Sequence, residues 1–213
     1  TWSVKLKEIS GLAEEIDAGF LKEEIPTAIS QSLEGVNRVA EIVSSMKRFS
    51  HPGSKEKAPI DINDSLRHTI TISRNEWKYV AELKTDLQED LPAVMGYAGE
   101  LNQVFLNLIL NAAQAIAERE TGKQDGEIRI SSKEDKGSVL VEVTDNGPGI
   151  APELQEKIFE PFFTTKEVGK GTGQGLSLTY NTVVVNHGGK LEVKSEVDQG
   201  TTFTVSLPLI VEG

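Results

Sequence analysis

From Ile25 onward, apolar residues recur at helical spacing, at Ile29, Leu33, Val36, Val39 or Ala40, Val43, Met46 and Phe49, with polar residues between them. The pattern predicts helix over residues 4–50, and a stripe this long has to pack on a helical neighbour or on a second copy. SHPGSKEKAP at 50–59 mixes Pro, Gly, Ser and charge and predicts a linker. Beyond it the pattern predicts a helix over 63–77 and a strand near 79–87. A clearer helix is predicted over 98–119, with Leu101, Val104, Phe105, Leu108, Ala112, Ala115 and Ile116 on one face. Two alternating runs, 127–133 and 138–145, flank the turn EDKG as a hairpin would. Pro152 suits the first turn of a short helix, 160–175 is glycine-rich and irregular, and 176–187 reads as helix. KLEVKSE and TTFTVSLP then make two strands around VDQG. The elements add up to a helical hairpin element, a linker, and an α/β sandwich with helices on one face of a mixed sheet.

Composition narrows the partners. A net charge of −11 argues against nucleic acid, which is gripped by basic faces. The absence of cysteine removes disulfides and thiolate zinc sites and fits a reducing compartment. No apolar run reaches the roughly 20 residues that span a bilayer, and Thr1 does not begin a signal peptide. The expectation is a cytoplasmic piece without a membrane segment, whose parent protein is free to be membrane-anchored.

Four stretches carry candidate chemistry. In LNLILNAAQAI, Asn107 and Asn111 are four apart and share a helical face, although asparagine is a poor helix-interior residue. An amide oxygen is a hard neutral ligand suited to Mg²⁺, which takes its other ligands from phosphates and water. TDNGPGI at 144–150 closes an apolar strand with a carboxylate. Read alone, Asp-Asn-Gly is turn chemistry; read functionally, Asp145 accepts a hydrogen bond from a ligand amino group, with Gly147 and Gly149 letting the backbone come close. GKGTGQG at 169–175 stands before a helix and reads either as a flexible loop or as a phosphate cradle. It matches neither G-x-x-x-x-G-K-[ST] nor G-x-G-x-x-G after a strand. FEPFFTTK at 159–166 places Phe159, Phe162 and Phe163 as anchors of a lid, and Lys166 and Lys170 reverse the local sign of an acidic chain.

The three histidines earn no catalytic role. His51 lies in the linker, His68 in a helix at the surface or half-buried, and His187 at a helix C-terminus, where a cation complements the dipole. None is followed by an acid that would activate it as a phosphate acceptor.

In order, NLILNAAQA, DNGPGI, FEPFFTTK, GKGTGQGLSL and DQGTTF resemble the N, G1, F and G2 boxes and the last glycine-threonine turn of sensor histidine kinases. The resemblance covers about residues 60–209 and implies an α+β fold of the Bergerat type, shared with gyrase and MutL ATPases. EEIPTAISQSLEGVNRVAEIVSSMKRFSHPG is similar to the second helix of a kinase dimerisation and phosphotransfer hairpin. The implied division is a partial hairpin region at 1–52, a linker at 53–59 and an ATP-binding domain at 60–213. The implied function is transfer of the ATP γ-phosphate to a histidine, for relay to an aspartate on a response-regulator receiver domain, by a homodimer joined through the N-terminal helices.

The resemblance also implies roles. Asn111 matches the Mg²⁺ ligand, and Asn107, one turn earlier, faces the same phosphates. Asp145 matches the carboxylate that holds the adenine amino group, within a pocket shaped by Ala115, Gly147, Gly149 and Ile150. Phe163, Thr164, Thr165, Lys166 and Lys170, with Gly171, Thr172, Gly173, Gln174, Gly175 and Leu176, match the lid and phosphate loop. Thr202 matches the residue that supports the adenine-binding Asp.

Two departures qualify the match. Gln114 stands where many family members carry a basic residue, which passes phosphate contact to Lys166 or Lys170. Residues 1–22 contain no histidine, so the acceptor is expected upstream of Thr1 and this chain alone is expected not to autophosphorylate. Two other functions stay open at this point. A gyrase- or MutL-like ATP hydrolase would need a Glu where Asn107 stands, since an amide takes no proton from water. A nucleotide-gated dimerisation module without transfer is the non-enzymatic reading.

Overall fold

The computed structural model describes residues 2, 5, 20, 22, 24–33, 36, 56–119, 125–166 and 171–209. The chain divides into two units, Thr1–Ser50 with Lys166–Lys170, and His51–Thr165 with Gly171–Gly213. In the first, residues 24–33 are helical, and Ile25, Ile29 and Leu33 are exposed, as is Val36. These four fall at i, i+4, i+8 and i+11, one stripe of a helix.

The second unit is built on a five-stranded sheet in the order β2-β4-β5-β7-β6. Its strands are β2 (Glu82–Leu87), β4 (Glu127–Asp135), β5 (Ser138–Asp145), β6 (Lys190–Glu196) and β7 (Gly200–Pro208). β4, β5, β7 and β6 pair antiparallel, while β2 pairs parallel with β4. A parallel pair needs a crossover, and helix α3 (Ala98–Ala117) lies in that connection. Helix α1 (Ile62–Ile72) and the short α2 (Arg74–Trp77) precede β2; α4 (Gly175–Tyr180) and a π-helical turn (Asn181–Asn186) precede β6. Strict alternation decides which sheet face is covered. Val139, Val141, Val143 on β5 and Phe203, Val205, Leu207 on β7 are buried against Leu101, Phe105, Leu108, Ile109 and Ala112 of α3. Each such large side chain contributes about 1.5–3 kcal/mol on burial.

The predicted 63–77 helix is two helices, because the chain breaks at Ser73, the C-cap of α1. Two short strands escape the periodicity: β1 (Ala58–Ile60), which begins within the stretch read as linker, and β3 (Val94–Gly96). They pair only with each other, Ile60 opposite Val94, and three residues carry too little alternation to register. The predicted 176–187 helix changes from α to π at Asn181.

His187 requires a correction. It stands at the helix end as predicted, capping the turn Asn181–Asn186, but as a buried ring whose two nitrogens are both engaged rather than as an exposed cation. Nδ1 lies 2.7 Å from the Thr182 carbonyl, and Nε2 accepts the Tyr97 N–H at 3.0 Å. That pattern is the neutral tautomer with its hydrogen on Nδ1. It satisfies the N–H of the residue that caps α3, where no side-chain cap exists.

Candidate functional site

Rows of side chains run across the covered face of the sheet. One is Ile130, Val143, Phe203 and Val193; the next is Ile128, Asp145, Thr201 and Ser195. An apolar face thus ends in a polar row, where β5 runs out into DNGPGI. Asp145 is 5% exposed, and its carboxylate accepts the Gly147 N–H at 2.8 Å and the Thr201 N–H. Burial pushes its pKa up from 3.8 to about 6, opposed by those two hydrogen bonds. A carboxylate has about four lone-pair sites, so two remain for a ligand donor.

The loop after Asp145 is held from both sides. Asn146 donates its N–H to the Glu127 carbonyl at 3.3 Å and accepts the Glu127 N–H on its side-chain oxygen at 2.9 Å, so it continues the β4–β5 ladder. Its own carbonyl accepts from Arg119, which follows α3. Gly147 packs on α3: a Cβ there would lie 3.0 Å from the Ala115 Cβ and 2.7 Å from Asp145 Oδ1. Gly149 has φ +74°, and a Cβ there would meet the Glu196 carbonyl oxygen at 2.1 Å. A side chain at either position would push the loop off its supports. Ile150 packs against the core and gives its N–H to Ser195.

Thr202 is displaced from the role read for it. Its Oγ1 lies 3.0 Å from Thr144 Oγ1 on the opposite face of the sheet, and the residue that meets Asp145 is Thr201. Successive strand residues point to opposite faces, so a shift of one residue exchanges the two. The alternation of TTFTVSLP held that signal, since Thr201 shares parity with Phe203, Val205 and Leu207.

The two asparagines of α3 differ. Asn107 accepts from Gln103 at 2.8 Å and donates to the Gly175 carbonyl at 3.2 Å, with Thr179 Oγ1 at 3.5 Å. Its amide is engaged in holding the first turn of α4 against α3. Asn111 is half-buried and its side chain has no hydrogen-bond partner among the described residues.

Of the three phenylalanines read as lid anchors, Phe159 and Phe163 pack against the core, and Phe159 also tilts against Tyr180 at 5.8 Å. Phe162 is exposed, with φ +67°, and donates its N–H to the Gly173 carbonyl at 2.9 Å. That bond joins the two ends of the segment that includes the exposed Thr164 and Thr165. Gly171, Thr172, Gly173, Gln174, Gly175 and Leu176 are half-buried, and Thr172 Oγ1 accepts the Gln174 N–H at 3.4 Å. Lys166 falls in the other unit, and Lys170, like His51, lies outside the described residues.

Residues 96–211 match the family model described as histidine kinase-, DNA gyrase B-, and HSP90-like ATPase. The chain is 34% identical over 209 residues to the sensor histidine kinase ZraS of Escherichia coli K12, covering 96% of this chain and 42% of that protein. It therefore spans less than half the length of that relative. The solved catalytic domain of histidine kinase ThkA superposes with a TM-score of 0.62 at 34% identity, covering 72% of this chain and 95% of that one. ThkA in complex with the response regulator protein TrrA matches with a TM-score of 0.63 at 26% identity, over 83% of this chain and 48% of that one. Fold, box order and sequence agree: the chain belongs to the histidine kinase-, DNA gyrase B- and HSP90-like ATPase family, in the branch formed by the catalytic domains of sensor histidine kinases.

Proposed function

We propose that this chain binds ATP for phosphoryl transfer to a histidine of the same kinase, followed by relay to a response-regulator aspartate. The observation that carries the reading is the buried Asp145 in the polar row that ends a largely apolar sheet face, with two lone-pair sites left for an amino group. Asp145 holds the adenine amino group, Ala115, Gly147, Gly149 and Ile150 wall the base, and residues 163–165 and 171–176 meet the phosphates. Asn107 sets the position of α4 through Gly175.

Asn111 is the residue suited to Mg²⁺, since its amide is uncommitted and no cluster of three or more His, Cys, Asp or Glu fit for a metal occurs among the described residues. A metal held by one amide draws its remaining ligands from phosphate and water. When bound it neutralises charge developing on the phosphates. Transfer of this kind needs alignment more than covalent help.

The acceptor is a histidine upstream of Thr1. His187 is unsuited, with both ring nitrogens engaged in the interior. The relay partner is a receiver domain, in keeping with the ThkA complex. The exposed stripe Ile25, Ile29, Leu33 and Val36 is read as part of a homodimer interface, within the division 1–52, 53–59 and 60–213. Hydrolysis of the gyrase or MutL kind is disfavoured by Asn107, an amide where a carboxylate base would stand. No helix among the described residues is long and apolar enough to cross a membrane. The test is calorimetric titration with Mg·ATP, followed by acid-labile labelling of a longer chain that carries the upstream histidine. Binding without labelling in this chain and labelling in the longer one are expected; label on His51, His68 or His187 overturns the assignment.

A further inference from the structure

The polar row at the end of the sheet contains Ser195, and Gln155 stands against it; no motif includes either residue. Ser195 is opposite Thr201 in register, and its hydroxyl is a hub. It accepts the Ile150 N–H at 2.8 Å, donates to the Gly200 carbonyl at 2.9 Å, and lies 2.9 Å from Thr201 Oγ1. A serine has one hydrogen to give. With that hydrogen on Gly200, the bond to Thr201 takes its hydrogen from Thr201. Thr201 Oγ1 is then left with lone pairs only, beside a carboxylate that also has lone pairs only. Gln155 locks the arrangement from behind. Its Nε2 donates to the Ile150 carbonyl at 3.0 Å and the Ser195 carbonyl at 2.9 Å, which uses both amide hydrogens.

We propose that Ser195, held by Gln155, is a positioning residue that fixes the hydrogen-bond polarity of the row Asp145–Thr201 and so sets base discrimination. An acceptor-only row admits a base edge that donates, such as a 6-amino group. It rejects a 6-oxo group, which would set acceptor against acceptor without a shared hydrogen. Removing the Ser195 hydroxyl lets the Thr201 hydrogen turn towards the ligand and accommodate the oxo edge. The inference rests on the reading of Asp145 as the adenine contact.

The experiment measures Kd for ATP and for inosine triphosphate, which carries oxo in place of the amino group, by titration calorimetry on the whole chain. The unsubstituted chain should favour ATP by at least about 100-fold. Ser195→Ala should cut that ratio by about tenfold, chiefly through tighter inosine triphosphate binding, and Ser195→Thr, which keeps a hydroxyl, should restore it. Gln155→Glu, which sets a carboxylate against two carbonyls, should move the ratio the same way, and Gln155→Met gives the same reading if the acid variant misfolds. Equal weakening of both nucleotides in these variants, or no change, overturns the proposal and marks the contacts as merely structural. Should the unsubstituted chain fail to discriminate, or Asp145→Asn keep the full ratio, the adenine assignment itself fails, an outcome the Ser195 arms cannot mimic.

Discussion

The two ends of the candidate site differ in how much of their hydrogen bonding is already committed. At the DNGPGI end, Asp145, Asn146, Ile150, Ser195 and Thr201 are held by short bonds to backbone groups of two strands and a loop and by the Ser195–Thr201 hydroxyl pair. At the other end, the half-buried Asn111 amide has no hydrogen-bond partner among the described residues. The difference fits what the proposed function asks each end to recognise. A base is rigid and read by direction, so its contacts must be fixed beforehand. A triphosphate with its metal is charged and hydrated, and under the proposed function the Asn111 amide is left open for it.

The largest blow to this contrast is Asp145→Asn. Loss of a charge-assisted hydrogen bond at a fixed site should weaken ATP binding by about 100-fold with the fold intact, read by calorimetry and by an unchanged circular dichroism spectrum. Unchanged affinity would mean the rigid end reads something else. The pH dependence is next. The folded Asp145 binds its proton more tightly than the unfolded one, so its contribution to stability is fully present below about 3.8 and is lost as pH rises through about 6. The whole effect amounts to ~3 kcal/mol. Urea unfolding of the chain and of Asp145→Asn should therefore differ less at about pH 5 than at about pH 7.5, and a constant gap would remove the buried charge from the account.

At the open end, Asn111→Ala should abolish the gain in ATP affinity on adding Mg²⁺, a change of about tenfold, while affinity in the presence of a chelator stays the same. The smallest expected effect is Asn107→Ala, which frees α4 from α3 at about 1 kcal/mol of stability and a few-fold in ATP affinity, seen in thermal unfolding and titration together. If Asn107→Ala instead acted only on Mg²⁺ dependence, the residue would belong with the phosphates after all.

Much of this was legible along the chain. Long alternating or 3.6-residue periods marked α3, β4, β5, β6 and β7 within a residue or two, because burial of one face imposes those periods. The order of the boxes singled out Asp145 and Asn111 as candidates. What escaped was decided by contacts distant in sequence. Asn107 meets Gly175 across 68 residues, and the Tyr97 N–H meets His187 across 90. β1 and β3 become strands only because they pair with each other.

The sequence by itself determined which faces are apolar, where each strand turns, and that a carboxylate ends an apolar strand before two glycines. Those are local properties, set by side-chain alternation and by the φ range each residue tolerates. Only the tertiary structure decided that Thr201 rather than Thr202 meets Asp145, that Ser195 and Gln155 stand behind it, and that Asn107 is engaged while Asn111 is open. Such choices depend on strand register and helix packing. A one-residue shift leaves composition and motif untouched and yet turns every side chain to the other face.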